Sequence, residues 1–240
     1  MAATGIIHHI GTFLLFASAI LLLITTISSP VVNDISLLKV DLQNSSSITF
    51  GTFGYCVRDV VSDSGNENSK SDYCTGKHIG YNPAGLMENV DNTDFNTAST
   101  ETTKVLTRVM VLHPICCGLA FIAFLLALGA GICGGLLASL TAALTWALTL
   151  VVLVTDFVFF GILKSHINDT DDDQAGSHAS FGIGIWTLLA ATILLFFASI
   201  IVFLACCSAR RHKKSARVST KNDYGTTTTK RHFWQRRTRY

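Results

Sequence analysis

Apolar residues in this chain are gathered into four long, nearly unbroken blocks, with the polar residues between them. A helix needs roughly 20 apolar residues to cross the ~30 Å hydrocarbon core of a bilayer, and each block is of that order. The pattern predicts spans over residues 6–28, 108–128, 136–163 and 181–207. Residues 1–5, 29–107, 129–135, 164–180 and 208–240 are then a short N-terminal stub, a long loop, a tight link, a second loop and a tail. The expected architecture is an all-α transmembrane four-helix bundle, with strands in the long loop. The first block is expected to remain in the membrane, cleavage as a leader being the alternative. No Lys or Arg precedes it, and Pro30 follows Ser28-Ser29 where a cleavage site would stand.

In the long loop, β-branched and aromatic residues between polar turns predict strands over Ile35–Leu42, Ser47–Val57 and Arg58–Val61. Ser62–Ser71, rich in Ser, Asn, Asp and Gly, reads as a surface loop. The uncharged link Gly129–Gly135 is short enough to force an antiparallel hairpin. Small residues recur every fourth position in the third span, as Gly134, Ala138, Ala142 and as Gly135, Ser139, Ala143. That spacing lets helix backbones approach closely. Packing within the chain is the expected use, and a homo-oligomer face the alternative.

Two charges stand at the ends of these blocks. Arg108 lies 24 residues before Ile132 and Asp156 lies 24 after it, so the two are expected at one depth as an intramembrane ion pair. The alternative has Arg108 reaching to water and Asp156 facing a wet crevice.

The composition, 49% hydrophobic and 14% charged, is too apolar for a soluble domain. The charge is also unevenly placed, with 11 of the 18 Lys and Arg in residues 208–240 against one acid, Asp223. Positive charge beside a membrane helix stays cytoplasmic, so four spans put both termini inside and both loops outside. The two glycosylation sequons, at Asn44 and Asn168, fall in those loops. Cys206 and Cys207 stand where the last span meets the tail, as candidate palmitoylation sites. Arg210, Arg211, Lys213 and Lys214 follow, placed to attract anionic inner-leaflet lipid. Membrane anchoring accounts for the basic tail, so no nucleic-acid partner is expected. The tail is low in aliphatic residues and is expected to be disordered.

No nucleophile with a base, metal-ligand set or phosphate-binding loop can be assembled, so neither enzyme activity nor a cofactor or metal is expected. Asp169, Asp171, Asp172 and Asp173, flanked by His166 and His178, read as a solvated loop. Of seven cysteines, only Cys56 and Cys74 lie in the outer loops, and an oxidising exterior favours a disulfide between them.

Gly51-Thr52-Phe53-Gly54-Tyr55-Cys56 resembles the claudin-type signature, with Phe53 at its tryptophan position, and Arg108 resembles the arginine that claudins carry at the mouth of their second helix. A closer resemblance is to the fungal four-span family of PalI pH-response regulators and cortical-patch, or eisosome, membrane proteins. It is carried by Ile27–Val32, Ile35–Leu38, Phe50–Cys56 and the run from Cys74 through Ile79-Gly80-Tyr81. The resemblance implies a claudin-like fold, a four-helix bundle with a small extracellular β-sheet drawn from both outer loops, and no catalytic residues. It also implies a plasma-membrane accessory or stabilising subunit of an ambient-pH sensing complex, partnered by a polytopic membrane sensor. The alternatives are an organiser of cortical membrane domains linked to cell-wall integrity and endocytosis, and a channel or transport regulatory subunit.

Overall fold

A computed structural model describes residues 2–32, 34–42, 46–61, 70–76, 81–83, 85–86, 108–129, 132–168 and 177–223. Its long helices are α1 (Ala2–Thr26), α2 (Leu112–Leu128), α3 (Ile132–Asn168) and α4 (Ile183–Asp223). The strands are β1 (Leu38–Asp41), β2 (Ser47–Phe50), β3 (Tyr55–Val61), β4 (Lys70–Cys74) and β5 (His178–Phe181). Three of the helices are long and apolar enough to cross a membrane, over Ile6–Thr26, Gly134–Asn168 and Ile183–Ser208. The fourth, α2, is equally apolar but has only 17 residues. Pro114 is its third residue, in the first turn where a missing N–H is tolerated.

The helices form a bundle in which α1 packs on α2 and α4, and α3 packs on the same two. Alanines line its core, among them Ala19, Ala120, Ala123, Ala138, Ala142, Ala191 and Ala198. Of the small residues expected to face a neighbour, Ala138, Ala142 and Ser139 are buried within the chain, while Ala143 is exposed. Side chains this small bring helix backbones together, so dispersion replaces the hydrophobic drive that lipid cannot supply.

The five strands form one antiparallel sheet in the order β4-β3-β2-β1-β5. β5 precedes α4 directly and pairs with β1, Leu38 opposite Phe181, so both loops build one sheet. Along β1 the burial alternates: Leu38 and Val40 point inward, while Lys39 and Asp41 point out and pair with each other at 2.8 Å. The inward residues join Leu37, Ile48, Phe50 and Ala179 over Phe159, Phe160 and Leu163 of α3 and Ile185 of α4. The sheet therefore rests on the end of the bundle, in the claudin-like arrangement.

Several elements differ from the sequence-based expectation. The strand expected over Ser47–Val57 is two strands, because the chain turns at Gly51–Gly54, where the Gly51 amide donates to the Gly54 carbonyl at 2.9 Å. β4 begins inside the stretch read as surface loop; its pairing with β3 supplies what its own polar sequence does not. The last helix does not stop at the membrane edge but runs on to Asp223, into the tail expected to be disordered.

Candidate functional site

The sheet meets the bundle at a junction built around the turn at Gly51–Gly54. Gly51 packs so tightly on the Ser29 backbone that a β-carbon there would run into the Ser29 carbonyl. Thr52 is buried and fastened three ways. Its amide donates to Ser28 Oγ at 3.0 Å, its hydroxyl shares a hydrogen bond with that same Oγ at 3.0 Å, and the hydroxyl donates to the Thr25 carbonyl at 2.9 Å. The last turn of α1 leaves carbonyls without helical donors, and Thr52 supplies one. Phe53 is half-buried, and Gly54 faces Pro30 and the hydroxyl of Thr75.

Tyr81 closes this junction from the other side. Its hydroxyl donates to the Gly51 carbonyl at 2.8 Å, and its ring stacks on Phe50 with centroids 6.5 Å apart. Tyr55 packs against both rings. Burial raises the Tyr81 hydroxyl pKa above its ordinary value, and the nearby Asp156 charge raises it further. Cys56 and Cys74 form the expected disulfide, between residues directly opposite each other on β3 and β4. The bridge staples the edge strand to the sheet.

Beneath the sheet, Arg108 and Asp156 are not brought together. Arg108 is exposed, ahead of the start of α2. Asp156 instead faces His113 of α2, with Nε2 and Oδ2 3.0 Å apart and the side chains only 1% and 2% exposed. The oxygen lies off the direction of an ideal ring hydrogen bond, so the contact is an ion pair by distance more than by alignment. The other ring nitrogen, Nδ1, lies 3.2 Å from the Met110 carbonyl. Residue counting from the hairpin estimates depth along the helices but not rotation about them, and rotation selects the partner. His113 was open to inference: it is the one charge-bearing side chain in residues 109–128, as Asp156 is in residues 136–163.

Asn168, one of the two sequons, holds β5. Its side-chain oxygen accepts from the Ala179 amide at 2.8 Å, and its nitrogen donates to the Ala179 carbonyl at 3.2 Å. Asn44 and Gly80 lie outside the described residues, as does the acidic run Asp169–Asp173. Cys206 is buried on the α3 side, beside Gly135, and Cys207 is half-buried, so Cys207 is the more accessible of the two for acylation. Arg210, Arg211, Lys213 and Lys214 stand on the continuation of α4, and their side chains lie outside the described ones. Among the described residues no three His, Cys, Asp or Glu side chains converge as metal ligands.

The SUR7/PalI family model matches residues 7–198, which takes in the sheet, α2, α3, most of α1 and the first part of α4. The pH-response regulator protein palI/prr-5 of Neurospora crassa is 30% identical over 117 residues, 49% of this chain and 15% of that protein. The pH-response regulator protein palI/RIM9 of Emericella nidulans is 33% identical over 124 residues, 50% of this chain and 18% of that protein. In each case the match spans less than a fifth of the relative's own length. With most of its length matched by the family model and its sheet-on-bundle fold in place, this chain belongs to the SUR7/PalI family.

Proposed function

We propose that the chain is a non-enzymatic accessory subunit of the ambient-pH response at the plasma membrane, stabilising a larger polytopic sensor. The observation that carries this reading is its likeness to two proteins named as pH-response regulators. In this reading both termini are cytoplasmic, the sheet is presented outside, and the stapled outer domain and the helix faces contact the sensor. The basic residues Arg210, Arg211, Lys213 and Lys214 then lie against anionic lipid of the inner leaflet.

The test is proteolytic processing of the pH-responsive transcription factor after an alkaline shift, in cells with and without this protein. Processing is expected to fail in its absence, and to be restored by the wild-type chain but not by Cys56→Ser. Normal processing without the protein overturns the reading and moves the organiser of cortical membrane domains into its place.

A further inference from the structure

The His113–Asp156 contact has a feature that packing alone does not require. Pro114 has no N–H, so the Met110 carbonyl lacks the helical donor that residue would have supplied. That carbonyl instead faces the His113 amide at 3.1 Å and His113 Nδ1 at 3.2 Å. A carbonyl can only accept, so Nδ1 carries a proton and, in a neutral ring, Nε2 is bare. Nε2 and Asp156 Oδ2 would then be two acceptors 3.0 Å apart in a buried site, neither of them aligned with a hydrogen-bond donor among the described residues. One proton shared across the pair removes the conflict.

We propose that His113 and Asp156 bind a single proton between them, and that this proton latches the sheet to the bundle, so that its loss at alkaline pH loosens the sheet. The pair sits at the seam of the two cores. Met110 packs with Leu37, Phe50 and Phe159 under the sheet, while Val152 and Leu153, about a turn before Asp156, pack in the bundle. Deprotonation leaves the Asp156 charge unneutralised near Tyr81, the side chain that ties the loop to Gly51.

Among the described residues few other groups can answer that charge. Neither α1 from Gly11 to Thr26 nor α4 from Ile183 to Ala205 contains an ionisable residue. On α2 the thiols of Cys116 and Cys117 are buried about a turn away, and Arg108 before the helix is exposed. On α3 the next cation, Lys164, places its ammonium over the Phe181 ring at 4.9 Å from the centroid. From the sheet side, among the described residues, come the phenols of Tyr55 and Tyr81, on the aromatic cluster.

The proposal rests on the pH-response reading for its biological role, and the proton site itself is tested apart from it. The full chain in lipid nanodiscs is followed by amide exchange of Leu38–Asp41 and Ser47–Phe50, corrected for the intrinsic pH dependence of exchange. Above about pH 6.5, where a free histidine is neutral, the sheet-opening equilibrium is expected to rise by up to tenfold per pH unit. Asp156→Asn can donate to the bare Nε2 without a titrating proton, and is expected to flatten that slope. A flat wild-type profile overturns the latch whether or not the variant folds, as does an unchanged slope in the variant. In cells, Asp156→Asn is expected to leave transcription-factor processing unresponsive to alkaline shift. Normal processing without the protein defeats the pH-response reading but leaves the exchange result standing.

Discussion

At Gly51 the sheet touches the end of α1 through backbone alone, with no room for a β-carbon against the Ser29 carbonyl. Gly51→Ala is expected to cost about 3 kcal/mol or more, because neither backbone can move without breaking the Thr52 bonds beside it. Gly118→Ala and Gly161→Ala meet nothing within 4 Å and serve as controls, expected to stay within about 1 kcal/mol of wild type. Thermal unfolding of the purified protein in one detergent compares all three. Tyr81 carries a separate expectation. Tyr81→Phe removes the hydrogen bond to Gly51 and is expected to cost about 1 kcal/mol at neutral pH. The folded state keeps the Tyr81 proton that an unfolded tyrosine sheds above about pH 10, so its contribution is full below that pH and lost above it. The loss is expected to vanish in Tyr81→Phe, as unfolding at pH 7 and in strong alkali can show. Gly51 was legible as part of a motif, but its need for close approach was not, since Ser29 lies 22 residues away in sequence. His113 stands out in its apolar run as the one charge-bearing side chain, but only the facing helix supplies its partner.

Among the elements, β4 depends most on what lies beside it. It is a polar edge strand held by β3 and by the Cys56–Cys74 bridge, which closes a loop of 18 residues. Closing a loop of that size stabilises by about 3 kcal/mol, mainly by restricting the unfolded chain. Cys56→Ser, Cys74→Ser and the double variant are expected to lose the same amount, since each removes the same bond. Limited proteolysis is expected to cut each near β4 well before the helices, and equal resistance to wild type would show that the strand pairing suffices without the bridge. The helices were readable as elements because each is built on a block of apolar residues, but their ends were not, since α2 is shorter than its block and α4 runs on past its own. The strands were readable only in part, because the turn at Gly51–Gly54 and the pairing of β4 answer to distant partners.

For the whole molecule, the path of the chain brings the first half of α1 beside the second half of the apolar part of α4, where Gly11 packs on Ile201 and Val202. α1 ends and α4 begins beside the sheet, so the start of α1 and the end of α4 lie at the other end of the bundle. There His8 Nε2 lies 3.1 Å from the Ala127 carbonyl near the end of α2. With the proposed orientation, epitope tags at either terminus are expected to be reached by antibody only in permeabilised cells, and a tag inserted between β3 and β4 to be reached in intact ones. Staining of a terminal tag on intact cells would reverse the proposed orientation. The sequence by itself determined the number of apolar helices, the charge asymmetry along the chain and the cysteine pair, because each is set by composition within one stretch. Only the tertiary structure decided that Asp156 faces His113 rather than Arg108, that β5 joins β1, and that Gly51 bears on Ser29. Those contacts depend on helix rotation and on strand register, which arise when distant segments pack together and leave no periodic mark in either one.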